Sequence, residues 1–209
     1  MARELQERVL YVLEQVTSRR VYEGPTPIWL QRPGRLECGR RWSLVRRMYT
    51  KLSDGLVLPS EMPLRESRTV DGMIGGRGRV WQLVEVDESQ HFNAYRSMTL
   101  RMYPKDLAVG FPTKEWIAAG GDRIPTAGGG WGAPKPPLFP MAGGRHRQRA
   151  FRDALADLLP ELYGFGPTIR IADFEVEPWI WHRGAAKRLR SLMDERLAAR
   201  TDFPGRLNG

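Results

Sequence analysis

The stretch RTVDGMIGGRGRVWQLVEVD, residues 68–87, decides the fold, because two strand-like runs flank a glycine-rich turn. Residues 68–74 form the first run, and residues 80–87 form the second, which is rich in β-branched and aromatic side chains. Apolar runs of this length that are separated by glycines are typical of a β-hairpin. The sequence therefore predicts a hairpin that turns at residues 75–78.

Three acidic residues interrupt these runs, and they indicate a functional site because an unpaired carboxylate is costly to desolvate. Glu85 and Asp87 stand two residues apart, so they share one face of the second strand. If the hairpin turns through residues 76–78, Asp71 lies opposite Leu83 on that face, with its backbone ~7–8 Å from the diagonal neighbour Glu85. Two carboxylates across that gap can share a Mg²⁺ ion, whereas a register slip of one residue would turn Asp71 away. The alternative is that Asp71 only begins an Asp-Gly turn.

Helices and further strands are predicted on both sides of the hairpin, which makes this an α/β protein. The predicted parts are a core helix at residues 3–17, a helix or strand at 42–51, the carboxylate hairpin at 68–92, a short helix at 93–101, a closing helix and strand within 145–177, and a basic helix at 185–200. Residues 104–144 are rich in glycine and proline, so we expect an insertion rather than core there. We predict a single domain, residues 1–209, in which helices flank a central sheet.

Positive charge dominates the composition. The chain has 33 Lys and Arg residues against 24 Asp and Glu residues, which gives a formal net charge of +9. Such an excess suits a polyanionic partner, because each cation set against a phosphate releases condensed counterions. An arginine-rich codon bias would produce the same excess, and charge alone does not separate DNA from RNA.

Several classes of protein are excluded by simple features. No stretch approaches the ~20 consecutive apolar residues of a membrane span. The single cysteine, Cys38, excludes an intramolecular disulfide and a cysteine zinc site. The glycines at 75–78 are not followed by a Gly-Lys-Ser/Thr sequence, so they do not form a nucleotide-binding loop. The first residues carry carboxylates and no apolar run typical of a secretory signal, and we expect a cytoplasmic protein.

The hairpin resembles the metal-binding motif of the PD-(D/E)XK nuclease superfamily. It is most similar to the motif of very-short-patch-repair-like endonucleases. The matching residues are a Val-Asp pair that ends at Asp71, a short glycine turn, and the sequence VEVDESQHF at residues 84–92. The resemblance extends to the first helix, where Glu7 best matches a glutamate of the family and Glu4 is the second match. It also extends to residues 149–153, with the leucine-rich helix and the strand at 168–176 that follow. In all, it covers about half of the chain.

The resemblance implies a restriction-endonuclease-like core, with a central mixed β-sheet flanked by helices and a Gly/Pro-rich insertion. It implies a Mg²⁺-dependent endonuclease, with Mn²⁺ as a substitute, that hydrolyses phosphodiester bonds in restriction, defence or repair. The implied metal ligands are Glu7, Asp71, Glu85 and Asp87, and the implied catalytic residues are Asp71, Glu85, Asp87, Gln90 and His91. Asp87 stands where the family has a lysine, so Gln90 or His91 would position the attacking water.

The partner expected from this resemblance and from the charge is DNA, with RNA as an alternative. Candidate contacts with nucleic acid are Arg77, Arg96, Arg101, Trp131, Arg145, Arg147 and Arg188. Cutting both strands would favour a homodimer. Two other functions stay open: a nucleic-acid-binding protein on the same fold without catalysis, which the missing lysine favours, and a partner-binding subunit whose charge is incidental.

Overall fold

The computed structural model describes residues 2–63, 68–76, 79–124 and 132–198. Two of the predicted nucleic-acid contacts, Arg77 and Trp131, lie outside these residues. The remaining predicted site residues all fall within them.

A four-stranded mixed sheet forms the centre of the described fold. Its strands are β1 (Val21–Glu23), β2 (Gly72–Gly76), β3 (Arg79–Asp87) and β4 (Ile169–Ala172), in the order β1-β2-β3-β4. The first three strands are antiparallel, and β4 runs parallel to β3. This confirms the predicted hairpin and the α/β class, with β1 as an edge strand that the sequence did not predict.

The register of the hairpin differs from the predicted one by two residues. Met73, rather than Asp71, lies opposite Leu83, and Gly72 lies opposite Val84. The next step of this register puts Asp71 level with Glu85. One residue of this difference comes from the turn, which pairs Gly76 rather than residue 75 with Arg79, and the other comes from a shift of the ladder between Ile74 and Gly76. Since side chains alternate with a period of two, a shift of two residues keeps Asp71 on the predicted face.

One face of the sheet is covered by α1 (Ala2–Thr17) and α9 (Ala185–Ala198). Their buried apolar side chains form a core with those of β3 and β4 that point the same way, including Val84 and Val86. Among the described helices, none is both long and apolar enough to cross a membrane.

The other face is covered by α4 (Trp42–Leu52) and α7 (Gly144–Leu158). Phe151 and Leu155 of α7 share a second core with Leu83 of β3. Residues 42–51, which were compatible with a helix or a strand, are therefore a helix. The sheet thus separates two apolar cores, and the side chains at 83, 85 and 87 face α7.

The described part of residues 104–144 is not a simple loop. It contains α6 (Thr113–Gly120), and its buried side chains include Phe111, Trp116 and Phe139. The expectation of an insertion outside the core was therefore wrong for these residues. Phe111 and Trp116 pack on each other and share a core with Ala172 of the edge strand β4, whereas Phe139 packs on Phe151 of α7. These aromatic contacts offset the poor helix and strand propensity of the glycines and prolines around them.

Four short helices complete the described chain: α2 (Ile28–Gln31), α3 (Arg35–Cys38), α5 (Ala94–Leu100) and α8 (Asp173–Val176). The strand predicted through residue 176 ends four residues earlier, where α8 begins. Glu175 Oε2 accepts a hydrogen bond of 2.8 Å from Ala172 N, which favours a helix start over a continued strand.

Candidate functional site

Asp71 and Glu85 meet on the face of the sheet that is covered by α7. Asp71 Oδ2 accepts a hydrogen bond of 2.8 Å from Val86 N, so this carboxylate is fixed beside the central strand just before β2 begins. Glu85 is 2% exposed, and its Oε1 accepts a hydrogen bond of 2.6 Å from Arg68 Nη2. We call Asp71 and Glu85 the acid pair.

Both members of the acid pair resist ionisation. Burial raises the pKa of Glu85 well above its ordinary value, and the charge of Asp71 raises it further, against the opposing effect of Arg68. Burial also raises the pKa of Asp71, although the hydrogen bond from Val86 N and the charge of Arg68 act in the other direction. A cation near the pair favours the ionised form of both carboxylates, and Arg68 supplies one such cation at Glu85.

A further acidic residue, Asp153 of α7, is linked to the acid pair by Arg68, which contacts both Asp153 and Glu85. The same Nη2 atom that reaches Glu85 lies 3.1 Å from Asp153 Oδ1, and His91 Nδ1 lies 2.9 Å from Asp153 Oδ2. Burial alone would raise the pKa of Asp153, but His91, Arg170 and Arg68 hold it well below its ordinary value. Asp153 is thus ionised, and it orients the buried imidazole of His91.

Asp87 is paired inside the protein rather than joined to the acid pair. Its Oδ1 accepts a hydrogen bond of 2.7 Å from Arg170 Nη1, and its Oδ2 accepts one of 2.7 Å from Trp116 Nε1. Burial opposes its ionisation, but Arg170 and His91 keep the pKa of Asp87 below its ordinary value. With a protein donor on each oxygen, Asp87 has a structural role here, which corrects its assignment as a metal ligand and catalytic residue.

Arg96 also belongs to this buried network, so the predicted contact with nucleic acid was wrong for this residue. It is 1% exposed, and its Nη2 donates a hydrogen bond of 2.6 Å to Asp157 Oδ2. Asp157 Oδ1 accepts another of 2.8 Å from Arg170 Nε. These buried ion pairs join α5, α7 and β4, and they leave no guanidinium surface for a phosphate.

Above the acid pair, α7 lines an open pocket of about 490 Å³. We call it the arginine pocket; its lining residues are Arg68, Pro134, Lys135, Pro136, Arg145, Gln148, Arg149 and Arg152. The α7 members stand at positions i, i+3, i+4 and i+7, which places them on one helix face. Burial and the like charges of Arg145 and Arg68 lower the pKa of Arg149, against the effect of Asp153.

The other predicted basic contacts are dispersed. Arg145 lines the arginine pocket, but Arg147 turns away and donates hydrogen bonds to Leu52 O at 2.6 Å and to Asp54 Oδ1 at 2.8 Å. Arg101 lies 4.0 Å from Asp122 on the surface. Arg188 is exposed on α9, which covers the opposite face of the sheet.

Glu7 and Gln90 likewise do not join the acid pair. Glu7 is on α1, on the far side of the sheet, where its Oε1 accepts a hydrogen bond of 2.8 Å from Arg3 Nε. This corrects its assignment as a metal ligand. Gln90 Nε2 donates a hydrogen bond of 3.1 Å to Glu88 Oε2, one residue outside the strand that carries Glu85.

Of the lining of the arginine pocket only Arg145 was predicted as a site residue, and Asp153 was not predicted as one, although the sequence holds signals for both. Asp153 and Asp157 stand one helical turn apart within the apolar stripe of α7, as acids with buried partners do. Arg145, Arg149 and Arg152 share one face of α7, which their spacing alone would have shown. Arg68 gave no signal, because its role depends on the packing of β3 against α7.

The acid pair offers a donor set of two carboxylates. Among the described residues, no group of three or more His, Cys, Asp and Glu side chains is arranged to hold a metal ion. Mg²⁺ commonly binds through only one or two carboxylates together with water and substrate phosphate. Asp71 and Glu85 match that number and type of protein ligand, whereas Glu7 and Asp87 are engaged elsewhere.

Comparisons with family models, curated proteins and solved structures give no match to this chain. A functional proposal therefore rests on the site alone. Its elements are the acid pair, the His91–Asp153 contact and the arginine pocket that adjoins both through Arg68.

Proposed function

We propose that this chain is a metal-dependent nuclease that hydrolyses phosphodiester bonds, with DNA as its substrate and a restriction-endonuclease-like core. One observation carries the proposal: two adjacent carboxylates with raised pKa values lie next to a pocket lined by arginines. Carboxylates for a divalent ion and cations for the backbone are the two components that phosphodiester hydrolysis requires.

The acid pair supports this proposal because it costs stability in the protein alone. Ionised Glu85 is buried next to a second carboxylate, and Arg68 compensates only part of that cost, since the pKa stays raised. Packing of the sheet against α7 does not require an acid at this position. On the same face of β3, the apolar side chain of Leu83 packs against α7. Such a locally unfavourable arrangement is typical of functional sites.

In this proposal Asp71 and Glu85 hold Mg²⁺, which when bound polarises the phosphate and lowers the pKa of a coordinated water. The role of His91 follows from its contact with Asp153. An ionised Asp153 keeps the proton of the imidazole on Nδ1, so Nε2 is the nitrogen that can accept a proton from water. Asp153 is then a positioning residue for His91.

The architecture agrees with the proposed family. We expected a central mixed sheet flanked by helices, and the described sheet has helices on both faces with Glu85 on a central strand. Arg68 links the arginine pocket to the acid pair, because its side chain lines the pocket and its Nη2 atom donates a hydrogen bond to Glu85.

A second candidate function is nucleic-acid binding without cleavage. It is favoured by the contacts of the two β3 acids, since Arg68 is bonded to Glu85 at 2.6 Å and Arg170 to Asp87 at 2.7 Å. In a binding protein of this kind, Arg68 and Arg170 neutralise the two carboxylates and no metal ion binds.

Cleavage of supercoiled plasmid, linear DNA and RNA of matched sequence, each with Mg²⁺ or with EDTA, tests the proposal. We expect Mg²⁺-dependent cleavage of DNA by the wild type and background activity for Asp71→Asn and Glu85→Gln. Asp122→Asn is the matched control, because it makes the same chemical change on a side chain that is 99% exposed. We expect it to cleave like the wild type.

Two results would overturn the nuclease proposal. One is cleavage that survives Glu85→Gln, because the activity would then belong to another site or to a contaminant. The other is retention of DNA by pure wild type without cleavage of any substrate, which would establish the second candidate.

A further inference from the structure

The arginine pocket carries an excess of positive charge. Five of its eight described lining residues are cationic, and none of the eight is acidic. Three elements contribute: the loop before β2 with Arg68, the segment 134–136 with Lys135, and the first half of α7. The pocket is therefore a concavity with cations on several sides, rather than a flat basic strip.

This concentration of charge opposes the stability of α7. Arg145 lies in the first turn of the helix, which contains no acidic residue, although the positive end of the helix dipole disfavours cations there. Arg145 and Arg149 are also an i, i+4 pair of like charge, which destabilises a helix. Burial is the main cause of the lowered pKa of Arg149, and the like charges of Arg145 and Arg68 lower it further, against the effect of Asp153. An anionic ligand in the pocket would interact favourably with both of these arginines and with the positive end of the helix dipole.

The shape of the pocket distinguishes between kinds of phosphate. Internal phosphodiesters carry one charge each and follow one another along the strand at ~3.4 Å of helix rise, so they suit an extended basic surface. A terminal phosphate monoester carries a charge of about −1.5 to −2 at pH 7 and offers three strong acceptor oxygens at a single point. Cations that converge from three elements match the second kind.

We propose that the arginine pocket binds a terminal phosphate monoester of a nucleic-acid strand. Arg149 and Arg152 contact the phosphate from α7, and Arg68 connects the bound end to the acid pair, because its guanidinium lies between the pocket and Glu85. The inference rests on the proposed function only in taking a nucleic acid as the ligand. If both hold, the enzyme acts near strand ends that carry a phosphate.

Binding of three fluorescent oligonucleotides of one sequence tests the inference, with anisotropy measured in EDTA so that no cleavage occurs. One probe carries a 5′-phosphate, one a 3′-phosphate, and one has hydroxyl groups at both ends. We expect the wild type to bind one of the phosphorylated probes about tenfold or more tightly than the hydroxyl probe, because charge-assisted hydrogen bonds are gained.

Arg149→Gln and Arg152→Gln should each reduce this preference, while Arg188→Gln should keep it. All three changes remove one positive charge, but Arg188 lies on α9 at the opposite face of the sheet. Arg188→Gln is therefore the matched control for general electrostatic attraction, and circular dichroism checks that each variant is folded.

Equal affinity of the wild type for all three probes would overturn the inference, as would an equal preference in Arg149→Gln and Arg188→Gln. A free nucleoside monophosphate that competes as strongly as the phosphorylated oligonucleotide would overturn the assignment to a strand end in favour of a nucleotide. Because the assay contains no metal, its failure is separate from a failure of the plasmid assay, which tests the acid pair.

Discussion

Arg68 is the residue on which both candidate functions depend. A single Nη2 atom contacts Glu85 at 2.6 Å and Asp153 at 3.1 Å, while the side chain also lines the arginine pocket. In metal-free protein this guanidinium is the cation of the acid pair. A nuclease requires that Mg²⁺ bind Glu85 in addition to Arg68 or in its place, whereas a binding protein requires only that Arg68 stay.

Asp153→Asn should destabilise the protein strongly. Asp153 is fully buried, and its pKa is well below the ordinary value, so its ionised form stabilises the fold at all pH values above that ordinary value. Removing its charge leaves parts of His91, Arg68 and Arg170 without their partner. We expect a loss of about 3–5 kcal/mol in the free energy of unfolding at pH 7, measured with urea. A loss below about 1 kcal/mol, the median for an exposed pair, would contradict the buried network.

The effect of Glu85→Gln on the free energy of unfolding should depend on pH with the opposite sign to that of Asp153→Asn, because the pKa of Glu85 is raised and that of Asp153 is lowered. The folded pKa of Glu85 is raised, so its stabilising contribution is complete below the ordinary pKa and is lost as the pH rises through the folded value. In EDTA, the unfolding free energy of Glu85→Gln minus that of the wild type should therefore increase over this window. Asp122→Asn should show no such trend. A difference that is constant or decreases with pH would mean that Glu85 ionises easily.

The sequence predicted the acid pair because a period of two fixes which residues share a strand face. It did not predict the ionic partners of Asp87 and Arg96, because Arg170 of β4 is 83 residues from Asp87 and Asp157 of α7 is 61 residues from Arg96. The sequence pattern of a buried carboxylate does not distinguish one that binds a metal from one that pairs with an arginine.

At the scale of elements, the start of α7 and the segment 134–139 form one unit. Lys135 and Phe139 exchange backbone hydrogen bonds of 2.6 and 2.8 Å, which close a tight loop over the helix start. A Cβ atom at Gly144 would lie 2.3 Å from Phe139 O and 2.8 Å from Lys135 N. Only glycine lets this segment approach closely enough for Lys135 to line the arginine pocket.

Gly144→Ala should therefore separate the segment from α7. Because the conflicting atoms are backbone, we expect a loss of about 1–3 kcal/mol in unfolding free energy, as for overpacked cores, together with weaker binding of phosphorylated oligonucleotide. Gly184→Ala is the matched control, since a Cβ there meets no atom within 4 Å. Unchanged binding by Gly144→Ala would show that Lys135 does not contribute to the pocket.

Helices and strands with clear periodicity were predicted close to their observed bounds, including α1 and β3. The exceptions share a cause, because tertiary contacts override local preference. Residues 104–144 look like a loop from their glycines and prolines, yet Trp116 is fully buried and donates a hydrogen bond to Asp87. The ladder shift in β2 likewise moved the register without changing which face Asp71 occupies.

At the scale of the whole molecule, the net charge of +9 is less informative than its distribution. The cations beside the acid pair converge in one pocket, whereas Arg101, Arg147 and Arg188 are dispersed over other surfaces. Composition predicted a polyanionic partner, but only the fold brings residues 68, 135 and 145–152 together. The proposed function depends on this juxtaposition of the arginine pocket with two carboxylates.

Anomalous diffraction from crystals soaked in Mn²⁺ tests the central claim most directly. We predict a single strong anomalous peak within ligand distance of both Asp71 and Glu85, ~2.0–2.2 Å from their oxygens, and no peak there in Glu85→Gln crystals. Asp87 should stay bonded to Arg170 in both. Absence of a peak at saturating Mn²⁺, with Arg68 still bonded to Glu85, would contradict a metal-dependent nuclease.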